Sequence, residues 1–237
     1  MATTPTTTLH RRRLRDVYRS AGWPCQDALE IELLVAGLLE RVRSTTGHET
    51  VRVTDAGLQV LAETQQRNRA RRDAHETLVQ RVAREMTRAG RLAWQGLALR
   101  AKVDDGWVMA MPDVFSVRHT TVEAYVEPIV HEIKVQRSDL LSDLRSASKR
   151  AAYLQLSSEC WYVIRAGIAR ADEIPPECGV LVATDTALDV ARAAPKRAMQ
   201  MPFGLWMALA RATPLAGWRL EEAQAHLGDT QAPLPET

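Results

Sequence analysis

The first third of the chain shows helical hydrophobic spacing, then a short alternating stretch. Apolar residues recur at helical intervals in residues 26–42, which predicts a helix with one broad apolar face. A shorter helix, closed by a glycine, is predicted over residues 11–22. Residues 50–53 alternate as a strand, and Thr54 is expected to cap a further helix. Residues 1–9 are Thr-rich and are expected to be loosely ordered.

The rest of the chain switches repeatedly between helical and strand periodicity. A helix ending near Gly90 precedes three predicted strands at 94–102, 107–118 and 126–136. A helix over residues 137–156, capped by Ser138, and a strand over 160–167 come next. Further strands and a last helix are predicted at 178–184, 188–195 and 203–212. The order αβββαβ predicts a mixed α/β fold, with a central mixed sheet flanked by helices.

Four charged residues occupy positions in this second region where apolar residues or a helix start are expected. Asp113 follows Pro112 in an apolar strand, and Glu132 and Lys134 are two residues apart in the next strand. A spacing of two puts Glu132 and Lys134 on the same face of that strand. Glu76 is expected in the first turn of the helix that opens the region. The short connection between the two strands predicts antiparallel pairing, which would bring Asp113 beside Glu132.

Two neighbouring carboxylates favour a divalent cation between them. Without one they repel each other, and an unpaired buried charge is costly. Mg²⁺ or Mn²⁺ prefers oxygen ligands, and Mg²⁺ is commonly bound by one or two protein carboxylates. We therefore expect Asp113 and Glu132 to bind Mg²⁺ or Mn²⁺. Lys134 is expected to stabilise negative charge and to orient or deprotonate the attacking water. Glu76 is a further candidate for the catalytic site.

Composition and motifs exclude several other classes of protein. The chain is 46% hydrophobic and 25% charged, and its net charge of +2 is too small to indicate a polyanionic partner. Three widely spaced cysteines without a CxxC pair argue against a disulfide framework or a structural zinc site, and we expect buried, reduced thiols. HExxH and Gly-rich phosphate loops are absent. With neither a transmembrane run nor a signal peptide, a cytoplasmic protein without membrane contact is expected.

The polar motifs resemble those of a known nuclease superfamily. Pro112-Asp113 in one strand and Glu132-Ile133-Lys134 in the next resemble the PD-(D/E)XK nuclease superfamily, over about residues 74–190. The segment from His131 onward looks like a small bacterial branch to which DNA-repair or endonuclease roles are attributed. The resemblance implies a restriction-endonuclease-like αβββαβ core, a magnesium-dependent active site and a DNA substrate. Many members also carry a glutamate on the first helix, and Glu76 occupies the matching place.

The N-terminal region resembles a winged-helix DNA-binding module. The phrase "GLLERV…VRVTDAGLQVLA" is similar to a recognition helix, a wing and the helix that follows, within residues 11–63. We place a small winged-helix-like domain at 1–66, the nuclease-like domain at 67–225 and a disordered tail at 226–237. Near the boundary, arginines suited to phosphate contacts are candidates for DNA binding: Arg67, Arg69, Arg71 and Arg72. The N-terminal module could instead serve packing or homodimerisation.

Each candidate residue also has a purely structural interpretation. Glu132 and Lys134 could form an exposed pair on a half-buried strand, Asp113 could be a turn residue, and Glu76 could simply favour a helix start. Lys149 and Tyr153 share a helix face; Lys149 is a DNA-contact candidate, although a solvated surface is the preferred interpretation for both. His131 faces away from Glu132 and is interpreted as structural.

These patterns predict a metal-dependent DNA endonuclease acting in DNA repair or defence. The alternative is a non-catalytic winged-helix regulator whose nuclease-like domain serves as a scaffold. Such a regulator would bind DNA with salt-dependent affinity but would need no metal.

Overall fold

The computed structural model describes residues 6–20 and 22–216. The chain divides into two compact units, residues 1–73 and 74–237, seven residues beyond the predicted boundary at 66/67. Among the described residues, no helix combines the length and apolar character needed to cross a membrane. The predicted tail, 226–237, lies outside the described residues.

The N-terminal unit contains two helices, a β-hairpin and the beginning of a long helix. In chain order they are α1 (Thr8–Arg19), α2 (Ala28–Val35), β1 (Leu39–Arg43), β2 (Glu49–Val53) and α3 (Asp55–Arg88). A small apolar core joins these elements and includes the fully buried Leu14 and Leu33. The side chain of Thr7 caps α1 by accepting a hydrogen bond from the amide of His10. The helix therefore starts inside the Thr-rich segment, so the expectation of a loose segment through residue 9 is wrong for residues 8–9.

The prediction of a single helix over residues 26–42 is wrong for the second half of that range. The helix ends at Val35, and Gly37 adopts a left-handed φ of 69° that breaks the helical path. The chain continues as β1, whose Leu39 pairs with Val53 of β2 in an antiparallel hairpin. Helical spacing of leucines cannot reveal this strand, because the pairing partner lies beyond the turn.

The beginning of α3 is as the sequence predicts, but its length is not. The hydroxyl of Thr54 accepts a hydrogen bond from the amide of Gly57 at 3.2 Å, which caps the helix. The helix then continues without a break to Arg88, so the arginine-rich stretch 65–75 is helical throughout. Gly90, with a φ of 76°, follows the helix end as expected.

The C-terminal unit is built on a mixed six-stranded sheet. Eight strands lie in the described part of this unit: β3 (Arg91–Gln95), β4 (Leu99–Val103), β5 (Gly106–Ala110), β6 (Val114–Arg118), β7 (Ile129–Lys134), β8 (Glu159–Arg165), β9 (Gly179–Ala183) and β10 (Leu188–Arg192). The sheet order is β10-β9-β8-β7-β6-β3. The pairs β7/β8 and β8/β9 are parallel and the others are antiparallel, so the predicted mixed α/β class is confirmed.

The hairpin β4–β5 forms a separate two-stranded sheet. The sequence predicts two long strands where the structure has four short ones, and that prediction is wrong. Gly96 takes a left-handed φ of 59° and ends β3, which no other residue type does as easily. Pro112 lacks the N–H group needed to continue the ladder between β5 and β6.

Helices cover both faces of the six-stranded sheet. They are α4 (Arg137–Leu144), α5 (Ala147–Leu156), α6 (Phe203–Arg211) and the last turns of α3. Tyr153 of α5 packs with Val130 on one face, whereas Val82 of α3 packs with Ile133 on the other. The single helix predicted over 137–156 is two helices, and Ser138 lies within α4 rather than capping it.

Candidate active site

The pairing of β6 with β7 brings Asp113 to Glu132 and Lys134. Val114 pairs with His131 in antiparallel register, so Asp113 reaches the neighbouring position on β7. Its Oδ2 accepts a hydrogen bond of 2.7 Å from the amide of Ile133. This bond holds the Asp113 carboxylate beside the peptide group that links Glu132 to Ile133. The predicted neighbourhood of Asp113 and Glu132 is therefore present.

Glu132 and Lys134 are buried, and they form a direct ion pair. Their exposed fractions are 3% and 5%, so the interpretation as an exposed pair is wrong. The Nζ of Lys134 donates to Oε1 of Glu132 at 2.6 Å, within a six-residue strand that is otherwise mostly apolar. Charges this deeply buried need partners, and the spacing of two along β7 supplies the first one.

Asp143 and Lys149 complete a compact group of four charges. The Nζ of Lys149 donates to Oε1 of Glu132 and to Oδ1 of Asp143, both at 2.6 Å. Lys134 Nζ lies 3.4 Å from the same Asp143 oxygen. Two carboxylates and two ammonium groups thus alternate in a neutral arrangement of Glu132, Lys134, Asp143 and Lys149, which we call the ion cluster.

Two buried tyrosines fix the carboxylates of the ion cluster. Tyr153 OH lies 2.8 Å from Oε2 of Glu132 and 3.0 Å from the carbonyl oxygen of Met111. Tyr162, which pairs with Glu132 across β7 and β8, donates its hydroxyl to Oδ2 of Asp143 at 2.8 Å. Both carboxylates of the cluster therefore have partners on both oxygens, and their rotamers are held by the folded core.

Burial and mutual charge set the protonation of this group. Burial, followed by the negative charge of Asp113, raises the pKa of Glu132, although Lys134 and Lys149 act in the opposite direction. Burial, the largest single effect, would lower the pKa of Lys134, but the charge and hydrogen bond of Glu132 and the charge of Asp143 together outweigh it, and the pKa is raised. Burial likewise opposes ionisation of Asp143, yet the hydrogen bond from Lys149 and the charge of Lys134 lower its pKa. Lys134 is therefore a protonated cation at neutral pH, suited to stabilise negative charge.

The helix residue that reaches Asp113 is His75 rather than Glu76. His75 Nε2 lies 3.4 Å from Oδ2 of Asp113, and this hydrogen bond raises the pKa of His75. Glu76 is exposed and accepts a hydrogen bond from Gln80 at 3.4 Å. Its expected position at a helix start is wrong, because α3 begins at Asp55 and places Glu76 well inside the helix. The one-residue offset turns the two side chains about 100° apart around the helix.

The other predicted residues divide between the site and exposed helix positions. Lys149 and Tyr153 belong to the site, so the preferred interpretation of both as solvated surface is wrong. The four arginines of the run, Arg67, Arg69, Arg71 and Arg72, are all exposed on α3. By helical spacing Arg67 and Arg71 share one side of the helix, and Arg69 and Arg72 share another. They therefore do not form a single basic stripe.

His131 is buried on the opposite face of β7, as predicted. Its exposed fraction is 2%, and its Nδ1 has no hydrogen-bond partner among the described residues. Burial, followed by the charge of Arg91, lowers the pKa of His131 to about 3. A neutral imidazole at this position fills the core and takes no part in the ion cluster.

Two of the cysteines fit the prediction of buried thiols and one does not. Cys160 and Cys178 are buried, whereas Cys25 is exposed, and all three are free. The local sequence around Cys25 contains no clear burial signal, because it falls in the connection between α1 and α2.

The capacity for a metal ion rests on two carboxylates. Among the described residues, no group of three or more His, Cys, Asp or Glu side chains is arranged to hold a metal ion. Both contacts of the Asp113 carboxylate given above fall on Oδ2, and its side chain is 21% exposed. Mg²⁺ sites commonly use one or two protein carboxylates and complete their shell with water and phosphate oxygens. Asp113 and Glu132 supply two such carboxylates, although both oxygens of Glu132 already have hydrogen-bond partners.

The sequence patterns assign no role to three residues of the site, which are Asp143, Tyr162 and His75. Asp143 lies on α4, the helix that follows β7, but its contact with Lys149 depends on the break between α4 and α5. Tyr162 reaches the site only through the parallel pairing of β7 with β8. His75 could have been found only from the exact rotation of α3.

Comparisons with known proteins add little to this picture. No family model matches the chain, and no curated protein matches it. Among solved structures, a protein of unknown function from Silicibacter pomeroyi is similar, with 19% sequence identity and a TM-score of 0.39. The match covers 63% of this chain and 90% of that chain. A likeness at this level carries no argument about function.

Proposed function

We propose that this protein is a metal-dependent deoxyribonuclease that hydrolyses phosphodiester bonds. The observation that supports it most is the convergence of Asp113, Glu132 and Lys134 at one point between β6 and β7. The same three residues carry the resemblance to PD-(D/E)XK nucleases. Burial of an acid and a lysine on a central strand is costly, so a catalytic use explains their presence better than stability does.

Asp113 and Glu132 would hold the divalent cation in this proposal. When bound, such an ion neutralises charge on phosphoryl oxygens and lowers the pKa of a coordinated water. Lys134 holds its proton and presents a fixed positive charge on the same face as Glu132. Its role is then to stabilise the negative charge that develops on the phosphate, which replaces the expectation that it deprotonates water.

The remaining site residues would position these groups. Asp143 contacts both Lys149 and Lys134 and is itself held by the hydroxyl of Tyr162. Tyr153 holds the second oxygen of Glu132. Charges that are already in position need not reorganise during the reaction. Much of the catalytic effect of such sites originates from this preorganisation.

The N-terminal unit is proposed to bind the DNA substrate. The order of its two helices, hairpin and capped helix is compatible with a winged-helix module, although the expected recognition helix is only eight residues long. The exposed arginines on α3, Arg67, Arg69, Arg71 and Arg72, are suited to phosphate contacts. Light scattering of a variant lacking residues 1–66 tests the alternative, in which this unit mediates a homodimer.

The hydrolase activity is tested by incubating purified protein with plasmid, linear and branched DNA in the presence of Mg²⁺ or Mn²⁺. We expect cleavage by the wild type and loss of cleavage in Asp113→Asn and Lys134→Ala. Asp189→Asn, which makes the same change at an exposed position on β10, is the matched control and should cleave normally. Undiminished cleavage by Asp113→Asn would remove the assignment.

One observation favours the non-catalytic alternative. Both oxygens of Glu132 already have partners in Lys134, Lys149 and Tyr153, and the ion cluster is neutral without a metal ion. A DNA-binding regulator with a nuclease-like scaffold would keep this arrangement for structure alone. Calorimetric titration with Mn²⁺ separates the two proposals: heat that disappears in Asp113→Asn supports the nuclease, and no heat in the wild type supports the regulator.

A further inference from the structure

A groove with basic walls lies beside the β4–β5 hairpin. It is lined by the hairpin, the carboxyl end of α5 and helix α6, and its volume is ≈ 680 Å³. That volume lies in the range of pockets that hold drug-sized ligands, and a nucleotide is of this size. Three cations, Arg100, Lys102 and Arg211, line the groove, and none of the described residues lining it is an aspartate or glutamate. The groove therefore presents positive charge beside an apolar floor.

The hairpin gives this groove an aromatic side chain that folding does not use. Lys102 pairs across the hairpin with Trp107, and Arg100 pairs with Met109. Alternate residues of β4, such as Leu99 and Ala101, are buried against the core, so Arg100 and Lys102 lie on the other, solvent-exposed face. Trp107 is 69% exposed and Met109 is 58% exposed, so the outer face of the hairpin carries an apolar patch beside the cations Arg100 and Lys102, which indicates a binding surface.

The groove and the candidate active site share two structural elements. The hairpin strand β5 ends at Ala110, three residues before Asp113. Helix α5 contributes Lys149 and Tyr153 to the site, and its last residue, Leu156, lines the groove. Asp113 is six positions after Trp107 in the chain, a separation of at most about 20 Å along an extended backbone. A polymer held in the groove can therefore extend to the carboxylates of the site.

We propose that this groove binds unpaired nucleotides of a single-stranded DNA segment. Trp107 would stack on a base, and Arg100, Lys102 and Arg211 would contact phosphates, which is how proteins commonly hold single strands. Duplex DNA keeps its bases stacked and paired, so it cannot offer one to Trp107. Asp104 and Asp105 in the hairpin turn repel phosphate, which places the strand over the groove rather than over the tip.

This inference rests on the proposed function and makes it more specific. If the site between β6 and β7 hydrolyses phosphodiester bonds, the preferred substrate carries a single-stranded segment next to the cut. Single strands, flaps and branched junctions should then be cleaved faster than intact duplex DNA.

Binding is tested separately from hydrolysis. A fluorescent oligothymidylate of about 15 nucleotides is titrated with the full chain in EDTA, and anisotropy is recorded. Trp107→Ala is expected to bind roughly 10-fold more weakly than the wild type. Tyr125→Ala removes an aromatic side chain of similar exposure, 61%, from a part of the same unit outside the groove, and should bind as the wild type does. Lys102→Gln should reduce the slope of log affinity against log salt by about 0.7.

The possible outcomes each decide the inference. Equal affinities of the wild type and Trp107→Ala, with an unchanged salt slope in Lys102→Gln, would overturn it. So would Trp107-dependent binding to phosphatidylserine vesicles or to polyglutamate in place of the oligonucleotide. Trp107-dependent oligonucleotide binding by a protein that cleaves no DNA supports the binding site and overturns the proposed hydrolysis. Cleavage of DNA without Trp107-dependent oligonucleotide binding supports the proposed hydrolysis and overturns the binding site.

Discussion

Replacing Asp143 by asparagine removes one negative charge from the ion cluster and keeps the size of the side chain. The Asp143 side chain is 8% exposed, accepts hydrogen bonds from Lys149 and Tyr162, and lies 3.4 Å from Lys134 Nζ. In the variant, two ammonium groups share the single carboxylate of Glu132. Removing one partner of a buried ion pair costs about 3–5 kcal/mol, and because Lys149 is 30% exposed we expect the lower end, about 3 kcal/mol.

Asp139→Asn is the matched control for this change. Asp139 lies on the same helix, α4, and its Oδ2 is 3.9 Å from the same Lys134 Nζ, but its side chain is 57% exposed. An exposed ion pair contributes about 0–1 kcal/mol, so this variant should be nearly as stable as the wild type. Adding Lys149→Gln to Asp143→Asn restores the charge balance, and the double variant should lose less stability than the two single variants together.

The assay is hydrogen exchange measured by mass spectrometry on peptides from β7 and β8. It reports the stability of the C-terminal unit by itself, whereas unfolding of a chain with two units need not be a two-state process. Protection in these peptides should fall strongly in Asp143→Asn and barely in Asp139→Asn. Equal losses in the two variants, within about 0.5 kcal/mol, would refute the description of the cluster as a buried, mutually dependent network.

Two further predictions concern pH. Burial lowers the pKa of His131 from its usual 6.5 to about 3. Between these two values the unfolded chain binds a proton that the folded chain does not, so the free energy of unfolding decreases as pH falls. Urea unfolding between about pH 6 and about pH 4 should show the wild type losing about 1.4 kcal/mol per pH unit more than His131→Leu, and parallel curves would contradict this. The hydrogen bonds from Arg13 and from the amide of Glu30 lower the pKa of Asp27 below 3.8, so its contribution is present above that pH and lost as pH falls through the lower folded value. The protection factors of the α2 amides, which correct for the intrinsic pH dependence of exchange, should therefore fall in acid. At neutral pH, Asp27→Ala should lower them more than Asp27→Asn, which can still cap the helix; equal protection in the two variants would refute the capping role.

The centre of the candidate site could be predicted because it depends on short-range rules. A spacing of two along one strand puts Glu132 and Lys134 on one face, and one antiparallel connection brings Asp113 to them. Both inferences need only the strand period and the order of the elements. The hydrogen bond from the amide of Ile133 to Asp113 follows from the same register.

The rest of the site could not be predicted because it depends on contacts distant in sequence. Tyr162 meets Asp143 only after β8 pairs in parallel with β7, and Lys149 turns inward only because α4 and α5 are separate helices. The leucines of residues 38–42 fit a helix pattern, but Leu39 pairs with Val53 in the hairpin β1–β2. In each case a partner elsewhere in the chain overrides the local pattern.

The most direct test of the central claim is a crystal structure of the protein soaked with Mn²⁺, with anomalous scattering used to locate the ion. The proposed nuclease site predicts an anomalous peak in contact with the carboxylates of Asp113 and Glu132, and no peak at that position in Asp113→Asn crystals. A structure at saturating Mn²⁺ in which Glu132 keeps its contacts with Lys134 and Lys149, and no anomalous peak lies beside Asp113, would contradict it.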